Sequence, residues 1–236
     1  MRLNKYLAKA GVASRRESDR LIQAATTFVN GQLILDPAYS VTEADEVVFD
    51  NQRIRLKTEI IVLMLHKPKN TITTLKDTHG RRTVIDLIPS KERLFPVGRL
   101  DKDTTGLILL TNDGELANYL MHPKNRVPRV YKVEIEGRLD NKSTQKIERG
   151  MYIGEGEFGR GKVLTQKTEK KRSVLTLELR QGKKREIRRM FHFLDTHIFS
   201  LKRTSYGPVL LGDLPLGHWR HLEPKEIDAL KEKDPR

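Results

Sequence analysis

Between Gly98 and Gly114 the chain reads GRLDKDTTGLILLTNDG. Arg99 and Asp101 flank a single leucine, and Thr104, Thr105 and Gly106 follow. An apolar run from Leu107 to Leu110 then leads into the polar turn Thr111-Asn112-Asp113-Gly114. The pattern is a charged loop feeding a buried strand. A carboxylate at such a junction is held by rigid backbone on one side and open to a ligand on the other, which is the placement a catalytic acid needs. Asp101 is therefore the leading candidate for chemistry. A loop aspartate can also do no more than cap a turn or pair with Arg99, so the surrounding chain has to discriminate.

Composition narrows the partner. Across 236 residues, Lys and Arg outnumber Asp and Glu 45 to 31, a formal charge of +14 that favours a polyanion, nucleic acid above all. A basic membrane-surface or heparin-type binder would share that charge. However, no segment approaches the apolar length of a spanning helix, and Arg2, Asn4 and Lys5 interrupt the start where a secretory signal would stand. There is no cysteine, which excludes disulfides, thiolate metal sites and thiol nucleophiles, and the seven histidines show no metal-ligand spacing. The expectation is a cytoplasmic monomer that uses neither a metal nor a small-molecule cofactor.

The elements that must position the loop follow from periodicity. Leu3, Leu7 and Ala10 fall at helical spacing, and Gly11 ends that helix. Ser14-Arg15-Arg16-Glu17 fits a capping box opening a second helix with Leu21, Ile22 and Ala25 on its apolar face. Phe28-Val29, an Asn30-Gly31 pair suited to a type I′ turn, and Leu33-Ile34-Leu35 predict a hairpin, with a further strand at 46–49. Asn51 to Ile60 reads as a linker or the end of a last small strand, which places a domain boundary near residue 59. Beyond it, the apolar run Ile61 to Leu65 predicts a strand buried on both faces. Strands are expected at 72–75, 108–110, 130–135, 163–165, 174–179 and 197–201, and helices at 115–121, 141–149 and 185–194. The fold class is α+β: a small N-terminal domain, residues 1–58, and a larger domain, residues 59–236, with a mostly antiparallel mixed sheet.

The arrangement MRLNKYLAKAGVASRRESDRLI followed by VNG resembles the S4 RNA-binding domain. The resemblance implies that two short helices dock on structured RNA through Arg2, Lys5, Arg15, Arg16 and Arg20. Ala24-Ala25-Thr26-Thr27 replaces the Gly and basic residue common before the hairpin in that family, so the hairpin entry is less basic here.

The stretch around Asp101 resembles the catalytic motif of the pseudouridine synthases, in the branch that joins an S4 domain to a catalytic domain and acts on ribosomal RNA. The match runs through Gly98-Arg99-Leu100-Asp101, Asp103-Thr104-Thr105-Gly106-Leu107 and Leu110-Thr111-Asn112-Asp113-Gly114. It implies that Asp101 is the essential carboxylate in converting uridine to pseudouridine. In that reaction the bond from N1 to ribose C1′ breaks, the base turns, and C5 joins C1′ on a flipped-out nucleotide. The carboxylate could add to C6, attack C1′, or stabilise a glycal-like intermediate.

Val130-Tyr131-Lys132-Val133 resembles the family strand whose tyrosine packs on the target base and assists proton removal at C5, a role that falls on Tyr131. QGKKREIRRM, Gln181 to Met190, is similar to the family segment whose arginine ion-pairs with the catalytic aspartate, which implies that role for Arg188. Lys183, Lys184, Arg185 and Arg189 are then expected phosphate contacts, with Arg99 and the loop residue Arg81 also facing RNA. Lys167 to Arg172 reads as a charged hairpin tip, and Trp219 as a core anchor near the family's closing segment. Glu115-Leu116-Ala117-Asn118 and Leu120-Met121-His122-Pro123 favour the synthases of large-subunit RNA. The rival from another class is a catalytically inactive RNA-binding or ribosome-assembly factor on the same scaffold.

Overall fold

A computed structural model describes residues 1–56 and 59–232. The chain clusters into two compact units. One is Met1–Ile61 with Ser90–Arg93 and Asn112–Gly114, and the other takes Val62–Pro89, Leu94–Thr111 and the chain from Glu115 onward. The boundary expected near residue 59 abuts residues 57 and 58, which lie outside the described residues, as do 233–236.

In the smaller unit, helices α1 (Leu3–Lys9) and α2 (Arg15–Gln23) precede strands β1 (Thr27–Val29), β2 (Gln32–Leu33), β3 (Val47–Phe49) and β4 (Gln52–Ile54), in the sheet order β2-β1-β3-β4. Asn30 and Gly31 both take positive φ, 50° and 77°, and Val29 pairs with Gln32, as a two-residue type I′ hairpin requires. Ser14 Oγ accepts from Glu17 N at 3.2 Å to cap α2, while the Glu17 carboxylate pairs with Arg20 at 3.4 Å. The apolar face of α2 differs from expectation. Ile22 is buried and Leu21 half-buried, but Ala25 lies beyond the helix end, exposed and at φ 60°, and Ser18 is buried in its stead. Leu3, Leu7, Ile22, Val29, Ile34, Val41 and Val47 form the core.

The larger unit is built on β7 (Thr105–Thr111), the apolar run of the central motif. Leu107, Ile108, Leu109 and Leu110 are wholly buried, each contributing about 1.5–3 kcal/mol of transfer free energy. One edge of β7 pairs antiparallel with β5 (Val62–Lys67); the other pairs with β6 (Phe95–Val97) and, in parallel at Thr105 and Gly106, with β13 (Ile198–Tyr206). The remaining strands are β8 (Arg129–Glu136), β9 (Met151–Tyr152), β10 (Phe158–Gly159), β11 (Lys162–Glu169), β12 (Arg172–Leu179), β14 (Val209–Leu210) and β15 (Trp219–His221). The sheet path runs β11-β12-β8-β13-β7-β5-β15, with β14 on β13, and β9 and β10 pair separately. Apart from the β7–β13 pair, the strand pairs of this sheet are antiparallel. Helices α3 (Gly114–Met121), α4 (Asn141–Arg149), α5 (Glu186–Phe193) and α6 (Pro224–Lys231) complete it.

Three local expectations change. Residues 72–75 form no strand; Ile72 makes one isolated bridge to Thr83, and the Thr73 hydroxyl bonds to Leu100, as described below. Trp219 is half-buried on β15 opposite Leu65 and is not a core anchor, since β15 ends the sheet path. The strand predicted over Ile61 to Leu65 runs on to Lys67, which is wholly buried inside β5. Among the described residues no helix is long and apolar enough to cross a membrane.

Candidate active site

Asp101 sits in the loop that joins β6 to β7, and that loop is fastened from several sides. Thr104 N donates to Asp101 O at 3.0 Å, closing a turn around the carboxylate. Thr73 Oγ1 donates to Leu100 O at 2.9 Å and accepts from Leu100 N at 3.2 Å. Asn70 N reaches Lys102 O at 3.0 Å. Lys67 Nζ donates to the carbonyls of Pro68 at 2.9 Å, Thr71 at 2.7 Å and Lys102 at 3.3 Å, so one buried ammonium ties the β5 exit to the loop. Burial pulls the Lys67 ammonium down to about 8, and the nearby Asp103 and Asp101 carboxylates oppose that shift.

Gly106, the first turn of chain beyond the loop, is a position only glycine fills. Its φ is 109°, and a Cβ there would lie 2.2 Å from Arg203 O. That close approach is what brings β13 alongside β7. Arg203, itself buried, donates through Nε to Leu107 O at 2.7 Å and keeps the junction closed.

Two arginines converge on one carboxylate oxygen. Arg188 Nε lies 3.5 Å and Arg185 NH1 3.4 Å from Asp101 Oδ2, and Arg188 NH2 donates to the buried Thr104 hydroxyl at 3.3 Å. Arg188 is the more enclosed, its side chain 22% exposed against 51% for Arg185. The residues stand three apart, Arg188 in the first turn of α5 and Arg185 immediately before it. Arg185 is the N-cap of α5 and is held at φ 52°, an uncommon conformation for a non-glycine residue.

The other expected residues distribute unevenly around this pair. Tyr131, buried on β8 and in register with Leu177 and Arg203, lines the same cleft of ≈ 660 Å³ as Asp101, Arg99, Lys183, Lys184, Arg185 and Arg188. Such a volume lies within the range of small-ligand sites. Three expected phosphate contacts are otherwise engaged. Arg185 faces the Asp101 carboxylate, and Arg189 turns inward to Ile153 O at 2.6 Å, Gly154 O at 2.6 Å and the Glu157 carboxylate at 2.5 Å, fastening the β9–β10 hairpin. Lys183 Nζ donates to Phe158 O at 2.7 Å, while Lys184 and Arg99 are exposed. Arg81 is exposed but chelated by Asp77 at 2.7 and 3.2 Å, which holds that carboxyl far below its usual range. In the smaller unit, Arg2, Arg15, Arg16 and Arg20 are exposed and Lys5 is half-buried.

Sequence reasoning missed Thr73, Lys67 and the contact of Arg185 with Asp101. Only the last had a readable signal, the three-residue spacing from Arg188. It also missed Glu186, a buried carboxylate lining the cleft that accepts from Lys183 N at 3.2 Å and Arg160 N at 3.3 Å. Burial pushes its carboxyl upward, and the two backbone donors partly oppose this. Among the described residues no group of three acidic, histidine or cysteine side chains converges as a metal site would require.

Comparison with known proteins matches the chain to a family. The profile of the RNA pseudouridylate synthase family covers residues 61–193, and that of the S4 domain covers residues 1–47. A Bacillus subtilis protein named ribosomal large subunit pseudouridine synthase B is 36% identical over 233 residues, 98% of this chain and 95% of the relative. The dual-specificity RNA pseudouridine synthase RluF of Escherichia coli is 36% identical over 239 residues, 98% of this chain and 79% of its own length. A solved structure described as a pseudouridylate synthase superposes with a TM-score of 0.69 at 25% identity, covering 98% of this chain and 99% of that one.

Proposed function

The chain belongs to the RNA pseudouridylate synthase family, as a member carrying an S4 domain, and from that premise we propose that it isomerises a specific uridine of large-subunit ribosomal RNA, with Asp101 as the essential carboxylate. The observation that carries this reading is the seating of Asp101 beside Arg188 and Arg185 in a cleft that Tyr131 also lines.

The reaction conserves all atoms. The bond from uracil N1 to C1′ breaks, the base turns within the cleft, C5 bonds to C1′, the C5 proton leaves to solvent, and N1 takes up a proton from solvent in its place. A carboxylate serves whether it adds to C6, attacks C1′ or stabilises a glycal-like intermediate, and each route requires it to stay in one orientation while the base moves. The guanidiniums grip Oδ2; Oδ1 takes no hydrogen bond from the described residues and is the oxygen free to meet the substrate. The Tyr131 ring would pack on the flipped base with its hydroxyl positioned to accept the C5 proton.

Residues 1–58 act as an RNA-docking domain through Arg2, Lys5, Arg15, Arg16 and Arg20, and residues 59–236 as the catalytic domain. The site of action is the bacterial cytoplasm, where ribosomal RNA is made, and the working unit is the monomer. Support for the RNA class comes from the S4 match, the charge of +14, and the named substrates of the relatives.

The test is to map pseudouridines in ribosomal RNA of cells with and without this chain, and to follow tritium release from RNA carrying 5-tritiated uridine. Loss of one large-subunit pseudouridine in the deleted strain supports the reading. An unchanged map with no tritium release would favour the inactive assembly factor.

A further inference from the structure

Away from the Asp101 pair, the same unit carries an exposed aromatic cluster. Tyr152 on β9, Phe158 on β10 and Phe193 at the end of α5 are 47, 59 and 49% exposed. Tyr152 is the middle ring, 5.7 Å from Phe158 and 5.7 Å from Phe193, edge-to-face with both at 68° and 72°. His192 adds a further edge contact to Phe193 at 5.8 Å. Large rings left half in water on a hairpin and a helix end mark a contact surface and not a core.

Three features indicate what covers them. The platform adjoins the cleft, because the cleft-lining Lys183 donates from Nζ to the carbonyl of Phe158 at 2.7 Å. Of its acidic neighbours, Glu157 pairs with Arg189 at 2.5 Å, and the exposed Glu155 lies 3.9 Å from the same guanidinium. Exposed Arg160 and Lys184 then leave the rim basic. Uncompensated positive charge beside open aromatic faces suits a nucleotide, whose phosphate meets the cations while its base stacks on a ring. The platform is held rigid for that purpose. Arg189 binds the hairpin at Ile153 O and Gly154 O, each at 2.6 Å.

We infer that Tyr152, Phe158 and Phe193 form a stacking platform for an unpaired base of the substrate RNA that flanks the target uridine. The inference rests on the synthase reading for the identity of the RNA. Holding a neighbouring base outside the helix would stabilise the opened RNA conformation from which the uridine reaches Asp101, and it would make an unpaired flank part of what the enzyme selects.

The experiment uses the full chain and the double variant Tyr152→Ala/Phe158→Ala, with in vitro transcripts of large- and small-subunit ribosomal RNA. Transcripts containing 4-thiouridine should photocrosslink to the β9–β10 hairpin or the end of α5 in the wild-type protein. The double variant should bind the modifiable transcript about 5- to 150-fold more weakly, the range for losing one stacked base. An abasic nucleotide at one flanking position should weaken wild-type binding and leave the variant unaffected. Equal affinity of variant and wild type, or crosslinks confined to other segments, would overturn the platform. Loss of binding only to assembled ribosomal particles, with naked RNA bound normally, would overturn it in favour of a protein partner. Tritium release by wild type is scored separately, so crosslinks to the platform without turnover would overturn the synthase reading alone.

Discussion

Replacing each of the two arginines at Asp101 in turn should give unequal losses. Arg188 is largely enclosed; it donates from NH2 to the Thr104 hydroxyl at 3.3 Å, and its Nε forms an ion pair with Asp101 at 3.5 Å without a hydrogen bond. The hydrogen bond from the charged Arg188 guanidinium to Thr104, which fixes it beside Asp101, contributes about 1.5–3 kcal/mol, which corresponds to about 10- to 150-fold in rate if that placement matters in the transition state. Arg185 makes a contact of the same length from a side chain half in solvent, where ion pairs contribute about 0–1 kcal/mol, or at most about fivefold. Arg188→Ala should therefore lower single-turnover tritium release by one to two orders of magnitude with the RNA dissociation constant nearly unchanged, and Arg185→Ala should lower it severalfold at most. Arg188→Lys should recover little, because a single ammonium cannot hold two acceptors through a planar fork. Equal losses for the two alanine variants, or an effect of Arg188→Ala on binding alone, would refute the assignment of the grip to Arg188.

Other perturbations probe the scaffold. Gly106→Ala places a Cβ 2.2 Å from Arg203 O at a φ of 109°, and should cost about 3 kcal/mol or more in urea unfolding; a stable variant would mean that β13 can stand further from β7. Lys67, held at about 8 in the folded chain against 10.5 when unfolded, makes the unfolded state bind more protons between those values. The stability of the wild type should therefore rise with pH across that window relative to Lys67→Met, and parallel melting curves from pH 8 to 10 would contradict it. Arg15→Ala/Arg16→Ala should raise KM for ribosomal RNA and flatten its salt dependence while leaving kcat unchanged; a kcat effect would argue against a pure docking role.

Much of the frame was legible because it rests on local chemistry. The Ser14 cap, the Asn30-Gly31 turn and the buried run of β7 each follow from residues adjacent in the chain. Asp101 was legible for the same reason, as a charged residue directly before a strand that could only be buried. What escaped depends on segments that meet only in three dimensions. A lysine is by type a surface residue, and Lys67 becomes a buried clamp only because the carbonyls of Pro68, Thr71 and Lys102 converge on it. In KKREIRR the basic residues look interchangeable, yet Arg185 and Arg188 face the carboxylate while Arg189 turns inward to the β9–β10 hairpin. Strands of two residues carry no periodicity, so nothing in the sequence brought Tyr152 and Phe158 together beside Phe193.

The account stands on the carboxylate of Asp101, and Asp101→Asn tests it with almost no change in shape. Assayed on ribosomal RNA carrying 5-tritiated uridine, the variant should bind with wild-type affinity and release no tritium above background. Tritium release at a measurable fraction of the wild-type rate would contradict the central claim.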